Sequence, residues 1–419
     1  MHKKPFLRKP LWKDAPGRGI LPPMSPTSLD PTHPQALRRT GPRPLSVHLG
    51  MAACAWGLPP GEGGGAGDST GLPSAPGVSD RMLRMLAGIR KYHEHPYARL
   101  APPREVVWSQ GSMRLLHAPA RKGRGGTRAC VFLIPSLING SDILDLIPEH
   151  SFVAWLADRG ISSFLLDWGD LAADAQASDF ESLFSTRLLP AFDAALAARR
   201  GEGLHVLGYC MGGILAAALA GLREERVRSL TLLATPWDFH AGDQTLSTRV
   251  RLWSSGARSM THSLGRLPVD WLQILFASVD PPMSAHKFVT FADAPDDSPA
   301  ARIFVGVEDW LNGGSDLPAE IARICIEDWY GENRTALGTW CVQGRKVDPA
   351  GLAAPALIVA SATDRLVPRE SSVAFAARRK PESFRILTPP CGHIGMMASR
   401  ACVAEVWEPI ARWMERAGP

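Results

Sequence analysis

The chain has 419 residues and an apolar fraction of 45%, a globular composition with more length than one ordinary small domain uses. No apolar run approaches the ~18–20 residues that cross a bilayer; the longest, Ile214 to Leu222, reads as a buried helix. The net charge of +5 belongs to one end: residues 1–50 hold nine Lys/Arg against two Asp/Glu, so the remainder carries −2 and offers no basic body for nucleic acid.

The seven cysteines are odd in number and scattered, with no C-x-x-C pair. That argues against a disulfide framework and a zinc site, and for a reducing, cytoplasmic setting. Met1 to Lys13 is basic but adjoins no apolar stretch, so no secretion signal is expected.

Residues 1–80 are rich in Pro and Gly, including the run Gly61 to Gly65, and read as a disordered or loosely attached extension. Residues 1–45 hold ten prolines and no apolar periodicity, which predicts few contacts with the body. Leu45 to Leu58 is mildly apolar and suits a short helix lying on the body. A further helix is predicted from Ser79-Asp80 to about His93.

Strands and helices then alternate. Val106 to His117 reads as a strand pair, and Ala129 to Ile134 (ACVFLI) as a strand covered on both faces. A helix at Phe152 to Asp158 precedes a strand at Ser162 to Trp168 and a helix at Leu183 to Arg199. A strand at Leu204 to Tyr209, a helix at Met211 to Leu222 and a strand at Val227 to Thr235 follow. Late strands are predicted at Ala356 to Ala362 and Ser383 to Leu387, with a closing helix from about Cys402 to Arg416. Such alternation predicts a doubly wound, mostly parallel sheet. It stops between Asp238 and Asn333, where four tryptophans stand among helix-like segments. That stretch is too long for a loop and reads as an inserted helical cap. The expected units are therefore the 1–80 extension, a core from 81–238 and 345–419, and a cap over 239–344.

The strongest chemical signal is Gly208-Tyr209-Cys210-Met211-Gly212-Gly213 between a strand and a helix. This is the nucleophile-elbow pattern G-x-S-x-G of α/β-hydrolase-fold sheets, with Cys in place of Ser. The nucleophile sits in a strained turn, and residues two places to either side come too close to tolerate a Cβ; Gly208 and Gly212 meet that need, and Gly213 continues the elbow. The helix N-terminus behind Cys210 favours negative charge on sulfur. The backbone N–H of Met211 is one expected oxyanion donor, and that of Leu137, just after the Ala129–Ile134 strand, the second. In this fold the order along the chain is nucleophile, acid, base. Asp364 follows the strand ALIVASA and His393 follows SFRIL, each at the carboxyl edge where these roles belong. His93, His95 and His240 read as surface or structural. No acidic cluster has metal-ligand spacing and no Walker loop occurs, so neither metal nor cofactor is expected.

From Val107 to Arg416 the sequence resembles the polyhydroxyalkanoate synthases. The resemblance is carried by Ile134-Pro135-Ser136-Leu137-Ile138-Asn139, Ile143-Leu144-Asp145-Leu146, Leu166-Asp167-Trp168-Gly169 and Gly208 to Gly213. It continues through Ala234 to Phe239, Asp328 to Asn333, Val347-Asp348, Asp364 to Pro368 and Gly392-His393-Ile394-Gly395. The body looks closest to the shorter synthases that need a second subunit. The resemblance implies that Cys210, Asp364 and His393 are catalytic and that the substrate is a 3-hydroxyacyl-coenzyme A thioester. It also implies a cytoplasmic site at polyester granule surfaces and a partner that is a second synthase subunit or another copy. The chain departs from the family upstream of Val107, at Ile214 where Thr is usual, and throughout the cap. A thioesterase or polyester depolymerase with the same triad, and a non-catalytic granule-associated homologue, are the competing readings.

Overall fold

The computed structural model describes residues 39–57, 76–98, 104–121 and 129–417. Residues 1–38 and 58–75, where most of the expected extension falls, lie outside the described residues.

Eight strands form one sheet: β1 (Glu105–Gln110), β2 (Met113–Ala118), β3 (Ala129–Ile134), β4 (Ile161–Asp167), β5 (Leu204–Tyr209), β6 (Val227–Leu233), β7 (Ala356–Val359) and β8 (Phe384–Leu387). Their spatial order is β1-β2-β4-β3-β5-β6-β7-β8. β1 and β2 run antiparallel at one edge, β2 pairs antiparallel with β4, and the pairs from β4 to β8 are parallel. β3 shows why the centre is apolar throughout. Cys130, Phe132 and Ile134 enter a core on one face, where Phe192 and Leu215 lie. Val131 and Leu133 enter the core on the other, with Val153 and Trp407. Period-two alternation between two covered faces leaves no position for a polar side chain.

The helices follow in chain order: α1 (Leu45–Gly57), α2 (Pro76–Glu94), α3 (Phe152–Asp158), α4 over 180–198 and α5 (Met211–Leu222). The cap contains α6 (Thr245–Leu264), α7 (Val269–Val279), α8 (Pro281–Ala292), α9 (Pro299–Asn312) and α10 over 319–331; α11 over 403–416 closes the chain. α4, α10 and α11 each contain a π turn, at Phe184–Leu188, Ile324–Gly331 and Val403–Trp407. Among the described residues no helix is long and apolar enough to cross a membrane.

Where the extension is described, the helix expected at Leu45 to Leu58 lies on the body, and the departure falls at residues 39–45. α1 and α2 pack on α8 and α9, and Ala52, Met85, Ile89 and Tyr92 share a core with Phe288 and Phe304. Gly88 lets α2 lie directly on the Phe288 carbonyl, where any Cβ would collide. The expectation of few contacts fails for residues 39–45. Arg39 forms a two-point ion pair with Asp309 (2.7 and 3.1 Å), donates to the His95 carbonyl at 2.7 Å and also donates to that of Tyr97. The Tyr92 hydroxyl donates to the same Asp309 at 2.8 Å, and the Arg43 amide to the Asn312 side chain at 3.2 Å. The matching surface lies in the cap, remote in sequence, so local composition concealed it. Arg39→Ala strips the half-buried Asp309 carboxylate of its cation and should lower unfolding stability by about 1–2 kcal/mol in urea titrations. An unchanged midpoint and slope would contradict the docking.

Candidate active site

Three strand ends meet at the carboxyl edge of the sheet. β5 stops at Tyr209, and α5 starts at Met211. Cys210 between them takes φ 55° and ψ −127°, a strained geometry for a residue with a side chain. Its amide donates to the Leu233 carbonyl at 2.8 Å, which ties the turn to β6. The glycines permit this turn by their bareness. A Cβ on Gly208 would strike Gly212 and Gly213, and one on Gly212 would strike the Ile134 carbonyl. A Cβ on Gly213 would strike the Thr235 hydroxyl.

Asp364 lies beyond β7, buried, with both carboxylate oxygens engaged. Oδ1 accepts from the amides of Leu366 and Val367, each at 2.9 Å. Oδ2 lies 2.7 Å from His393 Nδ1. His393, in the loop after β8, lines the same cavity as Cys210. The structure thus brings Cys210 and His393 to one cavity and pairs His393 with Asp364. Tyr209 backs the imidazole: its ring centroid is 5.3 Å from that of His393, and its hydroxyl donates to the His393 carbonyl at 3.4 Å. Burial, then the charges of Cys210 and Asp364, keep the Tyr209 phenol protonated.

Burial alone would lower the His393 pKa. The Asp364 carboxylate, the Cys210 charge and hydrogen bonds to both outweigh it and hold the pKa well above the ordinary 6.5. Above pH 6.5 the unfolded chain loses a proton that the folded protein keeps. The stabilisation is therefore complete below pH 6.5 and disappears as pH rises through the folded value. His393→Gln should remove this decline, which reaches about 1.4 kcal/mol per pH unit. Urea titrations from about pH 6 to about pH 9 check it, and equal slopes in both proteins would contradict the coupling.

Other thiols contrast with this setting. Burial pushes Cys130 and Cys391 up to about 11, and raises Cys325 and Cys402 further, so these remain protonated. His95 is buried and holds the Asp296 carbonyl at 3.0 Å, a structural role; His240 meets the Tyr330 carbonyl at 2.9 Å and His93 that of Gly41. No group of three or more His, Cys, Asp or Glu among the described residues could hold a metal.

Cys210, Met211 and His393 open into a cavity of about 120 Å³. The cap roofs it with apolar side chains, among them Val250, Trp271, Phe276 and Trp329. The β3 loop contributes Ser136, Ile138 and Asn139 to the wall, while the Leu137 side chain turns into the core. Sequence reasoning missed Tyr209 and Asn139 as site residues, although each lies inside a motif it singled out. It also missed which cap side chains face Cys210, because helical tryptophans signal burial without saying against what.

A model of the α/β hydrolase fold matches residues 160–269. A soluble variant of monoglyceride lipase from Saccharomyces cerevisiae, solved with a substrate analogue, superposes with a TM-score of 0.52 at 13% identity, over 78% of this chain and 99% of that one. The chain thus has the α/β-hydrolase fold, with cysteine at the elbow and an inserted helical cap. In sequence, it is 28% identical over 316 residues to the poly(3-hydroxyalkanoate) polymerase subunit PhaC of Haloferax mediterranei, covering 74% of this chain and 63% of that one. Against the subunit of that name from Allochromatium vinosum it is 26% identical over 314 residues, covering 74% and 88%. The chain is a relative of the poly(3-hydroxyalkanoate) polymerases, and it spans less than two thirds of the Haloferax protein.

Proposed function

We propose that the protein is an acyltransferase that polymerises (R)-3-hydroxyacyl-coenzyme A into polyhydroxyalkanoate through a thioester on Cys210. The observation that carries this reading is a thiol at the elbow, sharing an apolar-roofed cavity with a buried His–Asp pair. The names of the sequence relatives supply the substrate class.

The chemistry follows from the atoms. Cys210 Sγ attacks the thioester carbonyl, the bond from carbonyl carbon to coenzyme A sulfur breaks, and His393 returns a proton to the departing thiolate. One thioester replaces another, so the acyl group stays activated. The 3-hydroxyl of a second unit then attacks the Cys210 thioester. Its oxygen bonds to the carbonyl carbon, its proton passes to His393, and Cys210 is released. Asp364 holds Nδ1 and stabilises the imidazolium, which leaves Nε2 to face the sulfur. Developing charge on the carbonyl oxygen meets the N–H of Met211, whose position at the head of α5 gives it no intrahelical acceptor, with the Leu137 amide as second donor. Only the Leu137 backbone serves, which agrees with its buried side chain.

The apolar roof limits water, which favours transfer to a hydroxyl over hydrolysis. No cofactor enters this scheme. The acyl-coenzyme A, the polyester granule surface and a second subunit or second copy are the partners the reading calls for. The extension, cap and two-part core are its units, with residues 39–57 counted with the cap. The test is purified protein with 3-hydroxybutyryl-coenzyme A. Coenzyme A and turbidity should rise together while free 3-hydroxy acid stays low. Free acid equal to coenzyme A would replace the synthase by a thioesterase. Neither product, with any chain length or partner subunit, would favour a non-catalytic homologue.

A further inference from the structure

The loop after β3 is irregular, and it carries the second oxyanion donor of the chemistry above. Leu137 is buried, and its amide donates to no group among the described residues. Its neighbours Ser136 and Ile138 line the cavity of Cys210 and His393. An unpaired amide at such a place serves an oxyanion only while its loop keeps one shape.

Three donors from outside the loop fix that shape. The Trp168 indole donates to the Pro135 carbonyl at 3.2 Å. The Ser315 amide donates to the Ile138 carbonyl at 3.0 Å, and the Trp310 indole to the Gly140 carbonyl at 2.8 Å. The first donor belongs to the core. The other two belong to the cap, in α9 and just beyond its end. Gly314 permits this approach, since a Cβ there would come within 2.8 Å of the Ile138 carbonyl. The extension holds the same stretch of cap: Arg39 pairs with Asp309 at 2.7 Å, and the Arg43 amide donates to the Asn312 side chain at 3.2 Å. Trp310 is 6% exposed and lines the cavity, and its N–H crosses the boundary between cap and core.

We propose that Trp310 is a positioning residue for acyl transfer: its indole N–H holds the Gly140 carbonyl and so sets where the Leu137 amide meets the oxyanion. The inference rests on the acyl-transfer reading of Cys210 and deepens it. Trp310 acts through the loop and not on the reacting atoms. A donor displaced from the oxyanion loses its contribution in the transition state, where charge develops on oxygen, and loses little in the ground state. The oxyanion site is then complete only when the cap is seated on the core, which ties the chemistry to the closed cavity.

The test compares the wild type with Trp310→Phe, which keeps an apolar ring and removes the N–H. Single-turnover coenzyme A release from 3-hydroxybutyryl-coenzyme A should slow by about tenfold or more, with the half-saturating substrate concentration within about twofold. Two analogues separate positioning from packing. A trifluoromethyl ketone analogue of the acyl-coenzyme A takes the Cys210 sulfur at its carbonyl carbon and leaves the negative charge on oxygen; it should bind the variant about tenfold more weakly. S-butyl-coenzyme A, a thioether with no carbonyl, should bind both proteins alike. A tryptophan isostere with sulfur in place of the indole N–H, introduced at position 310 alone, serves where the phenylalanine variant does not fold and should show the same loss. An unchanged release rate would overturn the inference. Equal weakening of both analogues would also overturn it, because it would make Trp310 a wall of the cavity and nothing more. No coenzyme A release by the wild type would overturn the acyl-transfer reading itself, and the inference with it.

Discussion

Cys210→Ala should release no coenzyme A from 3-hydroxyacyl-coenzyme A while keeping its fold, because on the proposed mechanism the change removes the nucleophile and leaves the elbow glycines untouched. Loss should be complete within detection: among the described residues no other cysteine stands at the elbow turn in the cavity that His393 lines. Cys325 lines the cavity too, but burial raises its pKa and keeps it a thiol. Cys210→Ser separates the two chemistries. Its acyl-enzyme is a less activated oxoester, and a hydroxyl needs stronger base assistance, so polymerisation should fall by orders of magnitude. Residual hydrolysis is compatible with the account, since water attack on an oxoester is ordinary for this fold. Polymerisation by Cys210→Ser at wild-type rates would sink the thioester argument. Coenzyme A release and turbidity, measured on both variants, decide it.

Asp364→Asn should lower kcat by about 10³–10⁴ with little effect on folding, the scale on which triads respond when the orienting carboxylate becomes an amide. Oδ1 can still accept from the Leu366 and Val367 amides, so the loop keeps its shape. The amide nitrogen would then face His393 Nδ1 at the present 2.7 Å contact and favour the tautomer that carries its proton on Nε2. That ring cannot take a proton from sulfur. The variant also loses the carboxylate that, against burial, raises the His393 pKa. The check is kcat together with the pH profile of acylation; a fall smaller than tenfold would make Asp364 structural.

The elbow was legible because its cause is local. Strained backbone at Cys210 requires bare positions at 208 and 212, and the collisions a Cβ would meet there are with backbone within one motif or its neighbouring strand. β3 and β5 were legible for a related reason: continuous burial needs continuous apolar sequence. Asp364 and His393 were read from their places after the two late strands, which rejoin the sheet beyond the cap. That α1 lies on the body was legible, but the surface on which α1 and α2 dock was not. Met85 and Ile89 find their partners on α8 and α9, about two hundred positions away in sequence, and no period within 39–94 names that surface. The π turns at 184–188, 324–331 and 403–407 had no local signal either. Trp310 was legible as a cap tryptophan, yet its hydrogen bond to the Gly140 carbonyl is a property that exists only once neighbours are in position.

The most direct test of the central claim is to locate the acyl group. The wild type is mixed briefly with 3-hydroxybutyryl-coenzyme A, quenched in acid, digested and analysed by mass spectrometry. The account predicts one 3-hydroxyacyl group or a short oligomer on the peptide that carries Cys210, released by neutral hydroxylamine as a thioester is. Acyl groups on a different residue, or coenzyme A release with Cys210 unmodified at every quench time, would contradict it.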